Sequence, residues 1–205
     1  YANINNKLGI ELFIGNKKYD KTVSINEKNY MNYFNNIKNN ANFNFMRNFF
    51  QTEEITTILH KHLTNKMKNI IDKNPYKERY KNNNDVFLHI RLSDAKEWNV
   101  GIDYYIHCIN SLKYDNIYIG SNNINDELIK KLKTLYPSII FIEKNPIETI
   151  QFGSTCKNII LSHGSFSAVI GYLGFFSNVY FMNKKPEWCP LGMFMNKEFI
   201  PISLK

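Results

Sequence analysis

From Asp85 onward the chain alternates short apolar runs of strand length with longer stretches whose apolar residues recur at helical spacing. This alternation limits the fold more than any other feature. Strands separated by helices pair in parallel, because a parallel partner needs a crossover rather than a tight turn. Strands are expected over 85–90 (DVFLHI), 116–119 (NIYI), 138–142 (SIIFI), 158–161 (NIIL) and 178–182 (NVYFM). Helices are expected over 103–112, over 125–136 up to Pro137, over 146–154 with Pro146 in the first turn, and over 165–175. The strands are almost wholly apolar, as burial on both faces requires. The fold class is α/β, with a parallel sheet covered by helices on both sides.

The first eighty residues are less regular. A strand is expected over 8–14, a polar surface excursion over 26–44, and a helix capped by Thr52 that runs to about Ile71. Glu53 and Glu54 favour the positive end of that helix, and Ile55, Ile58, Leu59, Leu63, Met67, Ile70 and Ile71 fall on one face. The charged, Pro-containing stretch 72–84 (DKNPYKERYKNNN) reads as a linker, which places a domain boundary near residue 80. The expected organisation is a smaller N-terminal unit over 1–80 and a sheet-containing unit over 81–205. The chain begins at Tyr1 rather than Met, so part of the N-terminal unit is expected to lie upstream.

Composition narrows the function classes. With 43% hydrophobic residues and 15% aromatics, the 205 residues can build a packed core. No apolar run is long enough to span a membrane as a helix, and no basic-then-apolar leader is visible. The formal charge of +8 suits phosphate-bearing partners or an anionic surface. That charge is spread along a Lys- and Asn-rich chain without a nucleic-acid motif, so nucleic acid is not an expected partner. Cys108, Cys156 and Cys189 are odd in number and far apart. They fit a reducing, cytoplasmic compartment, with peripheral membrane contact left open, rather than a disulfide framework or a zinc site.

Two segments carry candidate chemistry. The first is 162–167 (SHGSFS), where an apolar strand hands over to a helix. Ligands sit at the carboxyl ends of parallel strands, and a helix that starts there offers unpaired N–H groups to an anion. Gly164 allows close backbone approach, and Ser165 and Ser167 bring hydroxyls, so the segment reads either as a pyrophosphate cradle or as an ordinary helix start. It lacks the glycine spacing of a serine nucleophile elbow, and no Walker A or G-x-G-x-x-G motif occurs. The second is 89–94 (HIRLSD), just past the strand 85–90. There Arg91 can grip a phosphate with two parallel hydrogen bonds, or can pair locally with Asp94. His89, within the strand, reads as a satisfied core histidine or as a catalyst.

Together these motifs resemble the alpha-1,2-fucosyltransferases of glycosyltransferase family 11. The family carries H-x-R-R-x-D, which stands here as His89-Ile90-Arg91-Leu92-Ser93-Asp94, followed by Tyr104-Tyr105. Its late C-K-x-x-I-x-x-x-S-S-F-S pattern stands as Cys156-Lys157, Ile160 and Gly164-Ser165-Phe166-Ser167. Phe50-Gln51 and Tyr1-Ala2 resemble its upstream elements. The resemblance implies a GT-B-type fold of two lobes, with a Rossmann-like C-terminal lobe that binds a GDP-sugar and an N-terminal lobe that helps to hold a glycan acceptor. It implies inverting, metal-independent transfer of fucose from GDP-fucose to a glycan hydroxyl. Arg91 would neutralise the β-phosphate. His163, Gly164, Ser165, Phe166 and Ser167 would line the nucleotide. The acceptor proton would go to Asp94, Glu97 or His89. The sequence has no D-x-D pair, and His60 and His62 face different ways on their helix, so no metal site is expected.

The chain departs from the family at defined positions. Leu92 replaces the second arginine, and Ser93 replaces a glycine. Ser121-Asn122-Asn123 stands where many members have S-D-D. Thr149, beside Glu148, replaces an aspartate placed to read guanine. Ala168 and Val169 replace two tryptophans. These changes keep open another nucleotide-sugar donor, or a glycan- or nucleotide-binding module without turnover.

Overall fold

A computed structural model of the chain describes residues 2–10, 18–34, 40–45, 50–184 and 191–204. Its centre is a six-stranded sheet built from β3 (Val86–Ile90), β4 (Ile117–Ser121), β5 (Ile140–Phe141), β6 (Asn158–Leu161), β7 (Asn178–Met182) and β8 (Phe199–Ile202). The spatial order is β5-β4-β3-β6-β7-β8, and every neighbouring pair is parallel. Numbered within the sheet, this is 3-2-1-4-5-6, the strand order of dinucleotide-binding Rossmann folds. The chain builds outward from β3 to one edge, returns across the sheet, and builds outward again from β6. The α/β class and the Rossmann-like parallel sheet expected from the sequence are therefore present.

Helices α5 (Ile102–Asn110), α6 (Glu127–Leu135), α7 (Pro146–Gly153) and α8 (Ser165–Leu173) supply crossovers between the strands. Their starts are chemically marked. Asp126 accepts a hydrogen bond from the Leu128 amide, and Asn145 accepts one from the Glu148 amide with Pro146 at the first helical position. Strand β3 is buried along its whole length, and its side chains alternate between two cores. Val86, Leu88 and Ile90 pack with Tyr104, Tyr105 and Ile117 on one face. Phe87 packs with Ile159, Leu161 and Leu173 on the other. Burying each such side chain stabilises the fold by about 1.5–3 kcal/mol. A one-residue slip of β3 would exchange these faces and push His89 into the Leu88–Ile90 core. The apolar pattern thus fixes where the polar strand tip emerges.

Ahead of the sheet lie α1 (Ala2–Lys7), β1 (Thr22–Ile25), α2 (Tyr30–Phe34), β2 (Asn42–Phe45), α3 (Glu53–Asn65) and α4 (Met67–Asp72). β1 and β2 form a separate parallel pair. Leu8, Leu63 and Ile70 share the core of the Phe87 face.

Several expectations are corrected here. In place of a strand beginning at Leu8, α1 ends in a turn at Leu8 and Gly9; the rest of that expected strand, 11–14, lies outside the described residues. The polar stretch 26–44 contains α2 and the start of β2, with 35–39 outside the described residues. The helix after Thr52 does not run on to Ile71. It breaks at Lys66, whose φ of -103° and ψ of 6° leave the helical region, at a site with no Gly or Pro to announce the break. Strand β8 is added at the sheet edge, where Pro201 does not need to donate to a further neighbour. Cys189 lies outside the described residues, whereas Cys108 and Cys156 are free and buried.

The stretch 72–84 is not a loose linker. Asn74 donates from its amide to the Gln151 carbonyl, Asn83 donates to the Thr155 carbonyl, and the Tyr80 hydroxyl meets Ser154. Arg79 binds Asp85 at 2.7 Å and lies over the Phe152 ring at 4.4 Å. The Asp85 side chain is only 4% exposed, so its charge depends on this partner and on the Asn116 amide. Periodicity cannot reveal such side-chain-to-backbone anchoring. Removing one member of a buried pair leaves an uncompensated charge, so Arg79→Ala should destabilise the fold by about 3 kcal/mol. Urea unfolding with an unchanged m-value would measure this. A loss below about 1 kcal/mol would show that Asp85 is satisfied without Arg79.

Candidate nucleotide site

The strand order reverses between β3 and β6, which lie side by side with His89 opposite Leu161. In open parallel sheets the loops leave such a switch point in opposite directions and open a crevice at the carboxyl ends of the strands. The β3 loop carries Arg91 to Asp94, and the β6 loop carries Ser162 to Ser165. A cleft of ≈ 570 Å³ lies at this point, with His89, Arg91, Asp94, Ser165 and Phe166 in its wall. Its far side comes from the β4 tip (Gly120, Ser121, Asn122) and from Ile142, Lys144, Pro146 and Thr149. A depression of ≈ 630 Å³ on the flank of α5, lined by residues such as Asp103, His107 and Leu204, includes no residue from the loops after β3, β4 or β6.

Arg91 and the start of α8 are in direct contact. Gly164 has φ +106°, and a Cβ built on it would lie 2.6 Å from Nη1 of Arg91. Glycine therefore serves twice at this position: it accepts the left-handed backbone and admits the guanidinium. The loops are also bonded to each other, since the Arg91 amide donates to Oγ of Ser162 at 3.1 Å. Among the described residues no side chain caps α8, and its first amides and the positive end of its dipole face the same region as the guanidinium. Arg91 also binds Asp94, with Nη2 donating to Oδ2 at 2.6 Å. The Asp94 side chain is 63% exposed, and the guanidinium beside it holds its carboxyl below the usual carboxylate range.

Beneath these groups lies a compact polar knot. Nδ1 of His89 meets Oγ of Ser167 at 2.5 Å and Oγ of Ser162 at 3.2 Å, and the two hydroxyls are 3.0 Å apart. The His89 ring lies 4.9 Å from that of Phe166. Burial pushes the His89 imidazole down to about 3, with the Arg91 charge adding to the shift. The ring is neutral at physiological pH and is a poor acceptor of a whole proton.

The other candidates divide clearly. Thr149 is in the cleft wall, its hydroxyl donating to the Asn145 carbonyl at 3.0 Å. Ser167 is fully buried and bonded within the knot, behind Ser165 and Phe166. His163 is buried beside a small notch with Trp98 and Asn99; burial lowers its proton affinity, against an opposing effect of the Trp98 and Met182 backbone, and neither ring nitrogen completes a hydrogen bond among the described residues. Glu97, exposed on the 3-10 segment Ser93–Trp98, and Glu148, in the first turn of α7, are not in the cleft wall. The sequence reading placed Ser162 in the cradle, named Asn122 only as a departure from the family pattern, and missed Lys144 as part of this neighbourhood. Asn122 could have been found, because it directly follows a parallel strand at the ligand edge.

No protein-family model matches the chain, and no curated protein matches it. Among solved structures, two of the similar ones are of NodZ alpha-1,6-fucosyltransferase. One was soaked with GDP-fucose; it is 12% identical over 72% of this chain, with a TM-score of 0.43. The other was co-crystallised with GDP; it is 12% identical over 74% of this chain, with a TM-score of 0.45. The chain spans 57% of the length of each of these structures. At these values the likeness decides neither substrate nor linkage.

The neutral His89 has a measurable consequence. Its folded value lies below the ordinary 6.5, so between about pH 6.5 and 3 the unfolded chain binds a proton that the folded chain refuses. The resulting stability is fully present above pH 6.5 and is lost as pH falls through that window, at up to about 1.4 kcal/mol per pH unit. In urea titrations from pH 7 to 4, His89→Asn should show a flatter acid limb than the parent. Identical slopes would mean that His89 takes up its proton as readily in the folded chain as in the unfolded one.

Proposed function

We propose that this chain binds a nucleoside-diphosphate sugar and acts as an inverting glycosyltransferase, transferring fucose from GDP-fucose to a glycan hydroxyl in an alpha-1,2 linkage. The observation that carries this reading is the meeting of Arg91 with the uncapped α8 N-terminus at the strand-order reversal. A diphosphate needs a permanent cation and convergent N–H donors in one place, and this cleft supplies both. The motifs His89-Ile90-Arg91 and Ser165-Phe166-Ser167 that carry the family resemblance flank the same contact. On this reading the sheet is the donor lobe of a GT-B-type enzyme, and the acceptor is held largely by the N-terminal unit.

In the proposed reaction the acceptor oxygen attacks C1 of a β-linked fucosyl donor. The bond from C1 to the phosphate oxygen breaks, and its electron pair leaves on the diphosphate. Arg91 and the α8 amides hold the charge that develops there. The acceptor proton goes to a carboxylate, and Asp94 is the one that the described residues place in the cleft wall. In the unliganded protein Asp94 is occupied with Arg91, which depresses its basicity. A phosphate arriving on Arg91 competes for the guanidinium and frees Asp94. Donor binding thereby raises the basicity of the group that accepts the proton. His89 remains neutral and braces the cradle through Ser162 and Ser167.

Two variants separate these roles. Arg91→Ala should weaken GDP binding and cost about 2–4 kcal/mol of transition-state stabilisation. Asp94→Asn should bind GDP slightly more tightly, by roughly two- to fivefold, because an exposed competitor is removed. The same variant should lose roughly 10²–10⁴ in turnover. Calorimetry with GDP and release of GDP from GDP-fucose measure the two effects. Unchanged GDP affinity in Arg91→Ala would defeat the assignment. Binding of UDP but not GDP would move the donor to another nucleotide. Guanosine binding without turnover in the parent would leave a nucleotide-binding module.

A further inference from the structure

The guanidinium of Arg91 can grip a diphosphate only if its main chain is held still, and no regular secondary structure holds it. β3 ends at Ile90, and the next residues enter a loop in which Leu92 has φ -127° and ψ -137° and Ser93 has φ +45°. Two asparagine side chains replace the missing ladder. Asn122, just past the β4 tip, accepts from the Leu92 amide at 2.8 Å, and its own amide reaches the Leu92 carbonyl at 3.5 Å. It thus acts as an extra rung beyond the last β3–β4 pair, Ile90 with Ser121. From the opposite side, Asn99 donates to the Arg91 carbonyl at 2.9 Å, while its oxygen accepts from the Gly101 amide at 3.0 Å. Ser162 completes the set by accepting from the Arg91 amide.

We infer that Asn99 and Asn122 are positioning residues that clamp the Arg91–Leu92 main chain and so aim the guanidinium at the α8 N-terminus. The inference deepens the nucleotide reading and rests on it for the ligand, while the clamp itself can be tested without one. The chemistry requires amides. An aspartate at 99 would have no donor for the Arg91 carbonyl. An aspartate at 122 would keep the bond from the Leu92 amide but would set a second carboxylate beside Asp94, whose Oδ1 the Asn122 amide now approaches at 3.5 Å.

The test has two arms on the full chain. In hydrogen exchange, the Leu92 amide should be protected in the parent and should lose that protection in Asn122→Ala, with exchange in β6 and β7 unchanged. In calorimetry with GDP, Asn99→Ala and Asn122→Ala should each weaken binding by up to about tenfold, the upper end of what one neutral hydrogen bond contributes. Neither should weaken it further in an Arg91→Ala background, because a clamp that acts through the arginine has nothing left to aim. Asn122 also borders the cleft, so an additive loss in that background would mean that it touches the ligand itself, and would overturn the positioning role. Unchanged Leu92 exchange in Asn122→Ala would overturn the clamp. Failure of the parent to bind GDP would sink the nucleotide reading alone, and the exchange arm would still decide the clamp.

Discussion

The close approach of the Arg91 guanidinium to the Gly164 backbone is the constraint around which the rest of this molecule is arranged. The two residues are 73 positions apart, and no local pattern joins them. They meet because β3 and β6 are sheet neighbours, and those strands are neighbours because the chain winds outward twice from the centre of the sheet. Because the strand order runs outward in both directions from that centre, the loops leave it apart and open a cleft between them. The hydrophobic cores on the two faces of β3 hold the register that delivers His89 and Arg91 to its rim.

The electrostatics of the cleft follow from differences in burial. In the unliganded protein the Arg91 guanidinium pairs with an exposed Asp94, an arrangement that a multiply charged phosphate can displace at little cost. His89, two residues earlier and buried, faces the opposite demand: charging it would place a second cation beside Arg91 in a poorly solvated site. Its neutral ring and the Ser162 and Ser167 hydroxyls form a self-satisfied polar knot that supports the α8 start without adding charge. A buried neutral histidine and a partly exposed arginine thus arise from one short strand end and border the same cleft, separated by burial and not by the face of the sheet.

Much of this architecture was legible in the sequence. The strand and helix alternation after Asp85 gave the parallel sheet, because continuous apolar strands and amphipathic helices each demand a particular neighbour. The small residues of 162–167 marked a helix start at a strand tip. What stayed hidden depends on interactions without periodicity. Asn74, Arg79 and Asn83 anchor an apparent linker through single hydrogen bonds. Asn99 looks like one more member of an Asn-rich chain until the loop is folded. β8 contains Pro201, which argues against a central strand and permits an edge one. The break at Lys66 carries no local signal at all. Among the candidate proton acceptors, the sequence left Asp94, Glu97 and His89 unranked; the path of the backbone takes Glu97 out of the cleft wall, and burial holds His89 neutral.

The most direct test of the central idea is a crystal structure of the chain soaked with GDP. The account predicts the diphosphate against the α8 start, with a β-phosphate oxygen within about 3 Å of the Arg91 guanidinium and of the Ser165 or Phe166 amide. It also predicts that Asp94 is displaced from Arg91. GDP bound elsewhere, or bound in the cleft while Arg91 stays on Asp94 and away from phosphate, would contradict it.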